Sequence, residues 1–172
     1  MQRLFFALWP DAGLQRELFR FGQRLQTECG GRVVAARHIH LTLAFLGDIP
    51  SARIPELRGV MQSVSAAKFK LELARAGYWS RSSLAWIAPD PVAPELDLLV
   101  KQLRTALSHS DFIVDERPFA PHVTLVRNAK RKPGTDPGRM ACEWAVSDFV
   151  LMRSRLFPSG PHYSELLRTP LL

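Results

Sequence analysis

Apolar residues recur with two different periods along this chain, and these periods predict its helices and strands. A short aromatic-rich run from Leu4 to Trp9 ends at Pro10 and predicts a buried strand. Helical spacing of apolar residues predicts three helices, which run from Asp11 to Cys29, from Asp48 to Val64 and from Pro94 to Ser108. Between and after them, extended patterns predict strands within Val33–Gly47, Phe69–Ala76, Gly77–Ser80, Leu84–Ala88, His122–Arg127, Glu143–Leu156 and His162–Leu167.

Turn-forming residues separate most of these strands. We expect turns at Ala76-Gly77 and at Arg81–Ser83, and an exposed basic loop from Lys130 to Gly138. Strand clusters joined by turns pair antiparallel, whereas parallel strands need helical crossovers. The order of elements therefore predicts an α+β fold rather than a doubly wound parallel sheet.

Composition narrows the class of protein. The 172 residues suit one domain, and no apolar run approaches the ~20 residues of a membrane span. Only Cys29 and Cys142 are present, without a disulfide framework or a metal-binding spacing. We expect a cytoplasmic protein with reduced thiols and no membrane association. The absence of heptads argues against a coiled-coil dimer, and we expect a monomer.

The charge balance favours an anionic partner. The chain holds 23 Lys and Arg against 16 Asp and Glu, which gives a formal net charge of +7. Such an excess raises the local concentration of polyanions and speeds their encounter with the protein. Many of the basic residues lie on predicted helix surfaces, where solvation alone explains them, so charge favours a phosphate-bearing ligand without identifying one.

Two predicted strand segments share the pattern His-x-Thr-x, in which x is an apolar residue. The first is His40–Leu43 and the second is His122–Leu125. Side chains alternate between the faces of a strand, so each segment places an imidazole and a hydroxyl on one face and apolar side chains on the other. With 5 His in the chain, two chance occurrences have odds on the order of one in a hundred. One copy alone would more often be a pair of hydrogen-bonded strand residues; two copies favour a functional pair.

The chemistry that suits this pair is phosphoryl transfer without a metal. Because the unperturbed pKa of histidine is ~6.5, one imidazole can accept a proton from water while another donates one to a leaving oxygen. Threonine hydroxyls can donate hydrogen bonds to the non-bridging oxygens of a phosphate. We therefore predict His40, His122, Thr42 and Thr124 as catalytic residues and a cyclic phosphodiester as a suitable substrate. The residues alone do not decide which histidine is the acid.

Four segments resemble the 2H phosphoesterase superfamily, and within it the bacterial RNA 2′,3′-cyclic phosphodiesterases, historically called 2′-5′ RNA ligases. They are RLFFALWP at the N-terminus, HIHLTLAFLGDIP, PFAPHVTLVRNA and the closing HYSELLRTPL. The resemblance therefore extends over the whole chain. It implies a bilobal α+β fold in which residues 1–172 form a single domain of two pseudo-symmetric lobes. Each lobe would have an antiparallel sheet with helices on its outer face, and would contribute one His-x-Thr-x strand to a central cleft.

The resemblance also implies a mechanism. His40 would be the proton donor and His122 the proton acceptor, with Thr42 and Thr124 holding the phosphate. Water activated by His122 would attack phosphorus, and His40 would protonate the departing 3′ oxygen to leave a 2′-phosphate. The resemblance implies no metal and no cofactor, and RNA with a 2′,3′-cyclic phosphate end as the partner. Reverse 2′-5′ ligation to a 5′-hydroxyl end is a further activity credited to this family.

Fewer observations support the substrate-binding candidates outside the motifs. Arg127, three residues after Thr124, could bind a phosphate with its bidentate guanidinium, and the resemblance supports a basic residue there. Phe119 and Trp9 could stack on a base. The alternatives are that Arg127 is an ordinary surface arginine and that Phe119 and Trp9 are core residues.

Three other functions fit parts of the pattern. A related cyclic phosphodiesterase could act on ADP-ribose 1″,2″-cyclic phosphate or on 2′-5′ linkages. A non-catalytic RNA-binding module would need aromatic residues on the sheet face where the histidines and threonines stand. A metal hydrolase could use His38 and His40, which we expect to share a strand face at a common ligand spacing; EDTA would abolish its activity.

Overall fold

The computed structural model describes residues 1–115, 117–134, 142–158 and 160–172. These residues form three α-helices, which are α1 (Ala12–Cys29), α2 (Ile54–Ser63) and α3 (Pro94–His109). They form nine strands, which are β1 (Gln2–Leu8), β2 (Arg32–Val33), β3 (Leu41–Ile49), β4 (Phe69–Trp79), β5 (Leu84–Pro89), β6 (Val123–Arg127), β7 (Cys142–Val146), β8 (Asp148–Phe157) and β9 (Gly160–Pro170). Short 3₁₀ turns at Ala36–His38 and Ser51–Arg53 precede β3 and α2.

The strands form one antiparallel sheet with a symmetric order. The order is β7-β4-β5-β6-β3-β1-β8-β9, and the short β2 pairs with β6. The two motif strands β3 and β6 are neighbours at the centre, where Leu41 pairs with Val123. Each motif strand thus begins a four-stranded arm, and the C-terminal hairpin β8–β9 completes the arm that starts with β3. The predicted α+β class with antiparallel pairing is confirmed.

The central strands bury side chains on both faces. In β1, Leu4, Phe6 and Leu8 join the main core, while Phe5 and Ala7 join a smaller cluster on the opposite face. This double burial explains why the N-terminal run is continuously apolar rather than alternating. The smaller cluster packs against Trp9 and Tyr163, and its Phe5 ring contacts the motif histidine His40.

The helices tie the two arms together. The side chain of Asp11 accepts a 2.8 Å hydrogen bond from the amide of Leu14 and caps α1. Gly30, at φ 68°, ends the helix in a conformation that favours glycine. Helix α1 follows β1 of one arm and packs on β6 of the other, and α3 follows β5 and packs on β3 of the opposite arm. The buried residues therefore form one shared core.

The predicted turn at Ala76-Gly77 is wrong, because Gly77 lies inside the continuous strand β4. A Cβ atom built at Gly77 would lie 2.2 Å from the ring of Trp86, which is its partner on β5. Glycine is needed there for the close approach of an indole ring rather than for a turn.

Two further predictions need refinement. The segment Glu143–Leu156 is two strands, β7 and β8, separated at Ser147, and Val33–Gly47 is divided by the 3₁₀ turn before β3. In the predicted basic loop, Lys130–Lys132 are exposed, whereas residues 135–138 lie outside the described residues. No helix in the described ranges is both long and apolar enough to cross a membrane.

Candidate active site

The two His-x-Thr-x segments meet at the centre of the sheet. Leu41 is paired with Val123 in an antiparallel register. One residue further in each direction, this register sets His40 opposite Thr124 and Thr42 opposite His122, so the four polar side chains share one face. Alternation sends their neighbours the other way: Leu41, Leu43, Val123 and Leu125 are fully buried in the core. Each histidine is therefore held beside the threonine of the other motif.

Both imidazole rings are oriented by the same backbone contact. Nδ1 of His40 lies 2.6 Å from the carbonyl oxygen of His38, and Nδ1 of His122 lies 2.8 Å from the carbonyl oxygen of Ala120. A carbonyl only accepts hydrogen bonds, so Nδ1 carries the proton in both rings. Nε2 is then the nitrogen left for chemistry, as an acceptor in the neutral ring and as a donor in the protonated one.

One cavity of about 380 Å³ exposes all four motif side chains. The other basic side chains that line it are Arg32, Arg37, His38, Arg127 and His162. Within the described part of the chain its lining includes no carboxylate. Such a cavity is electropositive and of a size typical for a small ligand.

Aromatic rings enclose His40. The Trp9 ring is stacked on it at 5.0 Å between centroids and 4° between planes, and Phe5 and Tyr163 contact it at 5.1 and 5.4 Å. Burial lowers the pKa of His40 to about 4, and the nearby charge of Arg127 acts in the same direction. In the ligand-free protein His40 is therefore neutral near pH 7.

His122 has a simpler environment. The Trp79 ring contacts it in a T-shaped arrangement at 4.4 Å. Burial is the main cause that lowers the pKa of His122, with a smaller contribution from the charge of Arg127. The two motifs thus share backbone geometry and hydrogen bonding but differ in the rings that surround each imidazole.

Arg127 and Phe119, the two predicted substrate-binding residues, occupy different places. Arg127 lines the cavity and pairs across the strands with Arg32. Like charges directly opposite each other are unfavourable unless an anion neutralises them, which makes this end of the cavity suited to a phosphate. Phe119 instead lines a neighbouring cavity that shares Thr42 and His122 with the central one, and its ring lies 6.0 Å from the Arg104 guanidinium carbon.

Trp9, which we considered for base stacking, supports His40 instead. Its ring covers one face of that imidazole and does not line the central cavity.

His38 does not share a strand face with His40. It ends the 3₁₀ turn Ala36–His38, and its carbonyl oxygen is the partner of His40 Nδ1. Its imidazole lines the outer part of the cavity and contacts Tyr163 edge to face at 5.0 Å. Across the described ranges, no group of three or more His, Cys, Asp or Glu side chains is arranged to hold a metal ion.

Sequence reasoning missed four residues of the site: Trp79, Tyr163, Arg32 and Arg37. Arg32 is brought to the cavity by β2, a strand of two residues that is too short for a periodic signal. Tyr163 comes from the distant β9, and only its place in the closing HYSELLRTPL segment could have indicated it. His162 is exposed and also lines the cavity.

Comparisons with known proteins identify the family of this chain. The family model described as LigT-like phosphoesterase matches the chain twice, at residues 8–86 and 87–163. A protein from Escherichia coli named RNA 2′,3′-cyclic phosphodiesterase is 32% identical over 170 residues, which cover 99% of this chain and 97% of that protein. A protein of the same name from Thermus thermophilus is 28% identical over 95% of this chain and 87% of its own length.

A solved structure extends the comparison to three dimensions. The crystal structure of E. coli LigT complexed with 3′-AMP matches with a TM-score of 0.86 and 31% identity, over 99% of this chain and 98% of that one. The resemblance to the 2H phosphoesterases is therefore confirmed. This chain belongs to the LigT-like phosphoesterase family.

Proposed function

We propose that this protein hydrolyses the 2′,3′-cyclic phosphate at RNA ends to a 2′-phosphomonoester. The single observation that carries the proposal is the placement of His40 and His122 in one electropositive cavity, each with Nδ1 held by a backbone carbonyl. Two relatives that match nearly the whole chain are named RNA 2′,3′-cyclic phosphodiesterase, and this supports the substrate class.

In the proposed reaction, Nε2 of His122 takes a proton from a water molecule as its oxygen attacks phosphorus. The bond between phosphorus and the 3′ oxygen breaks, and Nε2 of His40 gives a proton to that oxygen. The products are a 2′-phosphate and a 3′-hydroxyl. The two histidines then exchange a proton with solvent to return to their starting states, and each transfer contributes to the rate as general acid–base catalysis.

The proposed role of His40 as the acid depends on substrate binding. A general acid must be protonated, whereas burial lowers the pKa of His40 to about 4 in the free protein. A phosphate in the cavity supplies the opposite charge that raises this pKa. Substrate binding therefore favours the protonated form of His40 that the reaction needs.

The remaining groups hold the phosphate. Thr42 and Thr124 lie on the same sheet face as the histidines, and their hydroxyls can donate hydrogen bonds to the non-bridging oxygens. Arg127 offers a planar guanidinium at one end of the cavity. We further propose that the protein acts as a cytoplasmic monomer and that ligation of 5′-hydroxyl ends is the reverse of the same chemistry.

The experiment that tests the proposal is hydrolysis of a short RNA ending in a 2′,3′-cyclic phosphate, with EDTA present. We expect turnover to a 2′-phosphate product and its loss in His40→Ala and His122→Ala. Absence of turnover by the wild-type protein, or a 3′-phosphate product, would contradict the proposal.

A further inference from the structure

The cavity holds more positive charge than one cyclic phosphate requires. A cyclic phosphodiester has a single negative charge, and the proposed chemistry uses the two motif segments and Arg127. Arg32 stands opposite Arg127 across the strands and belongs to the same end of the cavity. Three further basic side chains line the cavity without a role in that chemistry, namely Arg37, His38 and His162. We call these three residues the cationic rim.

The rim lies one aromatic ring away from the catalytic centre. The Tyr163 ring contacts both His40, at 5.4 Å, and His38, at 5.0 Å, in T-shaped arrangements. His38 and Arg37 come from the 3₁₀ turn before β3, and His162 precedes Tyr163 on β9. Arg37 and His162 are exposed to solvent, so the rim marks the direction in which the cavity opens.

The rim is electrostatically unneutralised. Besides burial, the charges of Arg37 and His162 lower the pKa of His38, because a third positive charge at this place is unfavourable. None of the rim side chains forms an ion pair with a carboxylate of the described residues. Arg155, which pairs opposite His162 across β8 and β9, adds a further positive charge nearby. An anion bound at the rim would relieve this mutual repulsion.

We propose that the cationic rim binds the phosphodiester that precedes the terminal nucleotide of an RNA substrate. The proposal rests on the proposed function, which places the terminal cyclic phosphate between His40 and His122. In a polynucleotide the nearest additional negative charge is the next backbone phosphate. The rim therefore selects RNA chains over mononucleotides, by charge and hydrogen bonding rather than by base identity.

The test compares two substrates that share the reacting group. One is a mononucleoside 2′,3′-cyclic phosphate and the other is a trinucleotide with the same end. For the wild-type protein we expect the trinucleotide to have the higher kcat/KM. Arg37→Ala is expected to lower the ratio of the two kcat/KM values by about tenfold, as for the loss of one charge-assisted contact. His162→Ala is expected to lower the ratio in the same direction.

Arg58→Ala is the matched control. Arg58 is exposed on α2 and does not line the cavity, so its removal changes the net charge equally but leaves the ratio unchanged. A kcat/KM ratio near one in the wild-type protein, or an unchanged ratio in Arg37→Ala, would contradict phosphate binding by the cationic rim. Neither result would affect the proposed function. An equal loss on both substrates in Arg37→Ala would also contradict phosphate binding by the rim.

A binding measurement separates the rim from the reaction itself. Affinity for a fluorescent trinucleotide ending in a 2′-phosphate is measured across salt concentrations. Arg37→Ala is expected to reduce the slope of log affinity against log salt by about 0.7, the value for one phosphate contact on a single strand. If the wild-type protein hydrolyses neither substrate, the proposed function fails. In that case an unchanged slope in Arg37→Ala would also overturn the proposed phosphate binding by the rim. A reduced slope would support phosphate binding by the rim without the proposed reaction.

Discussion

The two motif strands have the same backbone design and different surroundings. In both, a histidine precedes the strand, donates Nδ1–H to the carbonyl two residues earlier, and stands beside the threonine of the other copy. His40 is enclosed by Trp9, Phe5 and Tyr163, whereas His122 contacts the Trp79 ring. The third residue after the threonine also differs, since Arg127 stands in the second copy and Phe45 in the first.

This comparison shows where a division of labour between identical motifs can arise. The motif sets the tautomer and the direction of Nε2, and the neighbouring elements set the proton affinity. An acid and a base need imidazoles with different proton affinities. The more strongly perturbed histidine is the one with a stacked indole, and the less perturbed one lies in the strand that ends at Arg127.

The largest expected effect comes from removing either imidazole. His40→Ala and His122→Ala should each lower kcat by roughly 10²–10⁴-fold, because each removes one proton transfer. The double variant should be little worse than the poorer single variant, since acid and base act as a unit. Single-turnover rates on a cyclic-phosphate RNA measure this, with His109→Ala on α3 as the control. Wild-type rates in either single variant would contradict acid–base catalysis by His40 and His122.

The next effect comes from the hydroxyls. Thr42→Val and Thr124→Val keep the shape and the β-branch of threonine and remove one donor to the phosphate. Each should lower kcat/KM by roughly 10–100-fold, the range for a lost hydrogen bond to a charged group. Thr105→Val on the exposed surface of α3 is the control. If only one threonine matters, the two copies do not contribute symmetrically to phosphate binding.

A smaller effect sharpens the difference between the two histidines. Trp9→Leu removes the ring stacked on His40 and should raise the pKa of His40 above about 4, because burial is the main cause of its low value. Histidine NMR signals followed against pH measure this. Trp79→Leu, the counterpart at the other motif, should leave the His40 titration unchanged. Equal shifts of His40 in both variants would mean that the indoles do not distinguish the motifs.

The smallest effect concerns stability against pH. The pKa of His40 is about 4 in the folded protein against an ordinary value of 6.5. Between these pH values the unfolded chain binds a proton that the folded one excludes, so the free energy of unfolding falls as pH falls from about 6.5 to about 4. His40→Gln should reduce this slope in denaturant titrations at several pH values. The same substitution at His109 serves as the control, and an unchanged slope in His40→Gln would contradict the burial of His40.

The pattern along the chain predicts the motifs because local physics determines them. A strand has period two, so His40 and Thr42 share a face wherever the strand lies, and Asp11 caps its helix through residues three positions away. Tyr163 and Trp79 reach the site through strand pairing between segments distant in sequence, which no local pattern encodes. The local pattern predicts a turn at Gly77, whereas glycine is required there by the Trp86 ring on the neighbouring strand.

The assignment of His40 as acid and His122 as base is the central claim, and a modified substrate tests it most directly. In a 2′,3′-cyclic phosphate with sulfur in place of the bridging 3′ oxygen, the leaving thiolate needs no protonation. We expect this substrate to restore His40→Ala to within about tenfold of the wild-type rate and to leave His122→Ala fully impaired. Restoration of His122→Ala instead would reverse the two roles, and restoration of neither would contradict general acid catalysis at the 3′ position.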